Sequence, residues 1–362
     1  MRNKQAFCVG LAGLAGIVMC TVSVSALAAQ LRIIQTNFAG DTINIIDPVT
    51  NKQVGEIKGI EATHGITVSP DGSRIYVSEE ADFTLDVIDG KTLNVTKKIP
   101  LSGNPNLIDI TPDGKSIYVA IALTYNDLSD FPRIKANATG GVDVIDTASL
   151  QKVKTIPIRG GVHDLNVTPD GKYVIVGNAR CAKPPADVMT VVDTKTNDIA
   201  WTLPMSPAPS PMAVSKNPDG STKTIFAQNG SLNGFEVVDF ATRKITNTIK
   251  LPDITGQAQN PYGPPAASHG IAVTPDQKTL LVNSRMNSAL YAYSLPDLKP
   301  LGAVTLGGRG AGWLTITPDG KTAYVANEHT NNVSVVDIKS LKETARIPVG
   351  FAPARNITWM AP

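Results

Sequence analysis

Short runs of alternating apolar and polar positions recur along the chain, and turn-forming residues separate them. Pro-Asp-Gly appears at 70–72, 112–114, 169–171, 218–220 and 318–320, with Pro275-Asp276-Gln277 as a degenerate copy. An alternating run comes before most of these turns, as in Gly65-Ile66-Thr67-Val68 and Leu314-Thr315-Ile316. A second run follows, as in Ile75-Tyr76-Val77 and Ala323-Tyr324-Val325, and a third ends in Asp, as in Val87-Ile88-Asp89 and Val335-Val336-Asp337. A fourth closes the unit, as in Ala345-Arg346-Ile347-Pro348-Val349. Period-two alternation with β-branched enrichment predicts strands. Pro presets φ, and Asp and Gly tolerate the rest of a tight turn, so Pro-Asp-Gly predicts a hairpin. Four short strands per unit describe a propeller blade, and no helical periodicity of useful length is present.

The units count to seven, with six as the alternative. Leu31-Arg32-Ile33-Ile34 reads as the second strand of a unit and Ile43-Asn44-Ile45-Ile46-Asp47 as the third. The missing first strand is found at the other end, in Arg355-Asn356-Ile357-Thr358-Trp359. The expected fold is therefore all-β: a seven-bladed β-propeller of four-stranded antiparallel blades, closed by N- and C-terminal strands sharing one blade. Units such as Thr317-Pro318-Asp319-Gly320-Lys321-Thr322-Ala323-Tyr324-Val325-Ala326-Asn327 resemble the YVTN-type β-propeller repeat. That resemblance implies the fold but leaves function open. Similar repeats occur in surface-layer proteins, periplasmic binding proteins, and the propeller parts of amine dehydrogenases and cytochrome-d1-type reductases.

The turn Asp residues are separated by 42, 57, 49, 57 and 43 positions. The extra residues fall near 122–141, 180–187 and 253–268, in connections that a meander places on one face. Long loops on one face of a rigid scaffold are where binding is usually built. His64, His163 and His269 share one repeat position on that face, at the start of the innermost strand of blades two, four and six. Three imidazoles with an open position form a catalytic metal pattern, for which copper, zinc and iron are candidates. The alternative is hydrogen bonding between blades or contact with a ligand. Asn106, Ser210, Gly312 and Arg355 are expected at the same position in the other blades. Glu79, Glu80, Asn178, Arg180, Asn229, Arg285 and Glu328 follow second strands and are expected at the channel mouth, with Arg309, Trp313 and His329 nearby. From these, Asn106, Arg180, Arg285, Glu328 and Arg355 form the expected ligand-binding set. Cys181 could add a thiolate to a copper or zinc site.

Composition adds bounds. With 42% hydrophobic residues the chain can form a core, which excludes disorder. Gly 30 and Pro 26 fit a turn-rich fold. Met1–Ala28 reads as a secretory signal: Arg2 and Lys4, an apolar run, then Ala26-Leu27-Ala28 as cleavage site. The mature domain would be 29–362, periplasmic, with no stable membrane insertion. Its removal takes two of the 33 basic residues and none of the 31 acidic ones, leaving a neutral chain that disfavours nucleic acid. No phosphate loop, Gly-x-Ser-x-Gly elbow or Cys-x-x-Cys-His motif is present. Two functions remain open: an exported module that binds a small ligand, metal or periplasmic protein partner, and a metal-dependent hydrolase, lyase or oxidoreductase.

Overall fold

The Pro-Asp-Gly turns close as their chemistry requires. At 317–320, the Thr317 hydroxyl donates to Asp319 Oδ1 at 2.6 Å, and Lys321 N donates to the same oxygen at 3.1 Å. Thr317 Oγ1 also accepts from Thr322 N at 3.1 Å, so one side chain fastens both arms of the hairpin. The same set recurs around Thr111 and Thr168. Gly320 sits at φ +71°, where a Cβ is strained. The degenerate copy lacks that glycine, and Gln277 adopts φ +61° in its place. Its side chain supplies the reason. Gln277 Oε1 accepts from Lys216 N of the neighbouring blade at 2.9 Å, and Nε2 donates to Thr274 O at 3.2 Å. The altered turn is a staple between blades.

A computed structural model describes residues 30–124, 139–178, 188–205, 209–229, 232–254 and 267–362. Among them there is no helix, and seven four-stranded antiparallel sheets form a ring. The molecule is thus the expected seven-bladed β-propeller rather than a six-bladed one. Blades 2 to 7 span residues 63–100, 103–159, 162–204, 209–250, 268–305 and 311–348. Blade 1 joins strands Gln30–Asn37, Thr42–Asp47 and Lys52–Lys58 to the C-terminal strand Pro353–Ala361, which takes the innermost place. Pairing runs from Gln30 opposite Ala361 to Asn37 opposite Pro353. The expected Met1–Ala28 signal, Arg180, Cys181 and most of the three long insertions lie outside the described residues. No helix among those described is long and apolar enough to cross a membrane.

Blades pack face to face, and polar staples fix their order. Trp359 is 3% exposed among Ile34, Ile66 and Ile75, and its Nε1–H donates to Gly72 O in blade 2 at 2.9 Å. Tyr118 and Tyr324 send their hydroxyls to Asn197 and Asn51, on turns of the next blade, at 2.7 and 2.8 Å. Near the axis the chains approach so closely that a Cβ on Gly65 would lie 2.6 Å from Asn106 O, and one on Gly270 would lie 2.5 Å from Gly312 O. Glycine after His64 and His269 is a packing requirement. The outer strand of every blade carries a β-bulge two residues after its turn. At three of these, Thr96, Thr246 and Thr344 donate a hydroxyl to the carbonyls of Val87, Val237 and Val335, at 3.0–3.2 Å.

Gln277→Ala should lose the link to Lys216 N yet keep the left-handed φ. We expect a cost of about 1 kcal/mol in urea unfolding, the net contribution of one hydrogen bond. Gln277→Gly also loses the link but relieves the backbone, so it should be the more stable of the two by up to ~1 kcal/mol. The reverse order would contradict the staple.

Candidate functional site

The innermost strands deliver one residue each to a ring at the channel mouth. Strand register places His64, Asn106, His163, Ser210, His269, Gly312 and Ala354 at equivalent positions. Arg355 therefore stands one residue deeper than the repeat alone suggests, because Asn356 pairs with Gln35 and pushes the expected position back to Ala354. Above this ring lies a cavity of about 460 Å³ lined by His64, His163, His269, Trp313, Phe38, Glu80, Asn104, Asn106, Arg285, Glu328 and His329, among others.

The rings form a connected edge-to-face series. Phe38 meets His64 at 5.7 Å between centroids, His64 meets His163 at 6.0 Å, and His163 meets His269 at 5.9 Å. His269 then meets Trp313 at 4.5 Å, while His163 and Trp313 lie stacked at 6.3 Å with 19° between planes. Such offsets suit the quadrupoles of aromatic rings. Each imidazole is also oriented through Nδ1. His64 Nδ1 lies 2.7 Å from Glu80 Oε1, His163 Nδ1 lies 2.7 Å from Ser210 Oγ, and His269 Nδ1 donates to Gly312 O at 3.2 Å. The bonds of His64 and His269 leave the basic lone pair of a neutral ring on Nε2. Even so, among the described residues no group of three His, Cys, Asp or Glu side chains is arranged to hold a metal ion.

Around the rings sit paired charges. Arg285 Nη2 donates to Glu328 Oε1 across blades 6 and 7, and Arg285 Nε is buried without a hydrogen-bond partner. Asn106 Nδ2 donates to Glu80 Oε1 at 3.2 Å, while its own Oδ1 is buried and unpartnered. Both orphaned atoms belong to residues that line the cavity.

Two expected mouth residues are elsewhere. Glu79 is 1% exposed and turns outward into the blade, where it accepts from Thr84 Oγ1 at 3.1 Å and Lys98 Nζ at 2.8 Å. Strand alternation sends Glu79 and Glu80 to opposite sides, so only Glu80 reaches the cavity. Asn229 is buried and does not line it. Arg180 and the Asn178 side chain lie outside the described residues. The repeat pattern also passed over Phe38, which the short first connection of blade 1 carries over His64.

Beneath the ring, the channel holds a feature that motif reading missed. Arg355 places its guanidinium 4.8 Å from the Trp313 ring centre. Nearby, Asp164 Oδ2 accepts from Met212 N at 2.7 Å, and Asp109 accepts from Val167 N and Ile110 N at 2.8 and 2.9 Å. Burial raises Asp164 from 3.8 to about 7, against the opposing pull of Arg355 and the Met212 amide, with Asp109 adding repulsion. Burial likewise raises Asp109 to about 6. Asp109 is half-buried, and its two oxygens are held by the Ile110 and Val167 amides.

Comparison with known proteins agrees with this architecture. The family described as "Lactonase, 7-bladed beta-propeller" matches residues 224–347. Hydrazine synthase subunit beta of Kuenenia stuttgartiensis is 26% identical over 344 residues, covering 75% of this chain and 86% of that protein. The solved hydrazine synthase of Kuenenia stuttgartiensis superposes with a TM-score of 0.67 at 20% identity, over 89% of this chain and 99% of that one. A putative 6-phosphogluconolactonase from Bacteroides fragilis gives a TM-score of 0.67 at 16% identity, over 91% and 97%. At these identities the structural likeness speaks for the fold.

The shifted carboxyls make a signed prediction. The turn Asp residues are held low, Asp71 at about 2 by the Ser69 hydroxyl and then by the Ser73 amide and hydroxyl. Their contribution is present above the unfolded value near 4 and lost as pH falls through the folded one. Asp164 and Asp109 act oppositely: their contribution is present below about pH 4 and lost as pH rises through 6 and 7. Melting temperature should therefore fall as pH rises from about 4 to about 7, and Asp164→Asn should flatten that limb. An unchanged fall over this range in the variant would refute the assignment.

Proposed function

We propose that this protein is an exported, periplasmic β-propeller that binds a small organic ligand in the channel-mouth cavity. The observation carrying this reading is the continuous aromatic lining: Phe38, three imidazoles and Trp313 form a series in which each ring lies 4.5–6.3 Å from its neighbour, in a cavity of about 460 Å³. That volume lies in the usual range for small-molecule sites, which combine apolar and aromatic walls with a few placed polar groups. The lining suits a ligand with a flat, unsaturated body. Its polar edge would meet Glu80, Asn104, Asn106, Arg285 and Glu328. Periplasmic location rests on the Met1–Ala28 signal pattern. A periplasmic protein that delivers or takes up the ligand is the partner this role calls for.

A second reading places copper, zinc or iron on His64, His163 and His269 and makes the site that of a metal-dependent hydrolase, lyase or oxidoreductase. One observation favours it: metal-ligating histidines typically have one ring nitrogen oriented by a hydrogen bond, and all three do here. Their present arrangement would have to close for three nitrogens to share an ion.

Protein purified from its native compartment should carry a small molecule detectable by native mass spectrometry. It should be lost in Trp313→Ala and retained in Glu79→Gln, whose side chain faces away from the cavity. Loss in both variants, or in neither, would count against the cavity. Elemental analysis separates the two readings, since a stoichiometric transition metal that disappears in a His163→Ala, His269→Ala variant would favour the second. Wild type free of transition metal would remove it.

A further inference from the structure

Below the aromatic ring lies a separate cavity of about 300 Å³, lined by Arg355, Asn166, Thr315, Asn356, Met212 and Ala272 among others. Arg355 is the lone cationic side chain in its lining. The guanidinium makes no hydrogen bond or ion pair with any described residue; its one defined contact is the Trp313 ring. The two acidic groups whose field it feels are committed elsewhere. Asp109 uses one oxygen on Ile110 N and the other on Val167 N. Asp164 uses Oδ2 on Met212 N and on Asn166 Nδ2, the latter at 3.3 Å. Each carboxyl therefore ties neighbouring inner strands together and leaves the arginine donors unused.

A guanidinium has five N–H donors in one plane. Stacking on indole uses its face and leaves its edge, and the edge is the part that binds a planar two-oxygen acceptor by paired hydrogen bonds. The pocket offers one positive charge with two carboxyls close by, so a monoanion fits where a dianion is repelled. We propose that this lower cavity is a second ligand site, in which the Arg355 edge binds a small monocarboxylate on the channel axis. The site is distinct from the channel-mouth cavity and does not depend on how that cavity is used.

The surroundings give the site a pH response. The ionisable groups facing Arg355 are Asp109 from blade 3 and Asp164 from blade 4; Ser210-Pro211-Met212 of blade 5, His269-Gly270-Ile271 of blade 6 and Gly312-Trp313-Leu314 of blade 7 add only His269 near this layer. Burial holds Asp109 near 6, so it becomes charged as pH rises through that range. Carboxylate binding should be strongest when it is protonated.

Calorimetric titration of sodium acetate into the full chain, without chloride and at constant ionic strength, tests this. Saturable binding at pH 5.5 is expected, weakening on the order of tenfold by pH 8.5, as about one unit of coupling to a buried charge implies. Arg355→Lys, which keeps the charge but loses the fork, should weaken binding on the order of tenfold. Asp109→Asn should bind with a smaller pH dependence. Inorganic phosphate should bind more weakly than acetate at pH 8.5. Absence of saturable acetate binding at pH 5.5, equal binding by a folded Arg355→Lys variant, or an unaltered pH dependence in Asp109→Asn would overturn the proposal. Circular dichroism of each variant confirms that the ring is intact.

Discussion

The ring exists because one strand from the far end of the chain completes the first blade. A blade cannot bury its two faces alone; each needs a neighbour on both sides, and only a closed circle gives every blade two. The pairing of Pro353–Ala361 with Gln30–Asn37 closes that circle. Its contacts join residues more than 300 positions apart, such as Gln35 Nε2 with Ala354 O, 319 positions away. Loop-closure entropy grows only logarithmically with length, at about 5 kcal/mol for such a span, so the distance is affordable once the other blades have stacked. Trp359 then extends the closure across the seam by reaching Gly72 in blade 2.

The axis that results has two layers of opposite character. The upper one is aromatic, with His64 beside Glu80 and Arg285 beside Glu328. The lower one is ionic, with Asp109, Asp164 and Arg355 in a narrow channel. Trp313 belongs to both, since it packs against His163 and His269 and also carries Arg355. A change of charge below thus has a physical route to the ring surface above. Asp164 is bonded to Met212 N and follows His163, itself bonded to Ser210, so the two layers also share the seam between blades 4 and 5.

The repeat made the architecture legible, since turn chemistry and period-two alternation are local properties. The shared position of three histidines was legible for the same reason. Other features depend on geometry between blades, which a repeat does not encode. Glu79 and Glu80 are adjacent in sequence, and only the pleat decides which one reaches the cavity. Arg355 shifted by one residue because the closing strand pairs with a strand 300 positions away. The Gln277 turn looked like decay of a motif until its partner in the next blade was seen. Asp109 and Asp164 lie in strands that read as ordinary alternation, and their shifted acidity comes from burial between the inner strands of neighbouring blades.

The bulged outer strands bear on how the protein behaves in a crowd. A seven-bladed ring presents seven sheet edges around its rim, each an array of unpaired backbone donors and acceptors that another chain could extend. A bulge in every one interrupts the spacing that a foreign strand would need, and the Thr96, Thr246 and Thr344 hydroxyls occupy carbonyls beside it. Lysines at 97, 98, 152, 154, 244 and 342 add charge along the same rim. With a formal net charge of only +2, mutual repulsion can do little to keep molecules apart, and the irregular rim takes over that task by denying fibre growth its template.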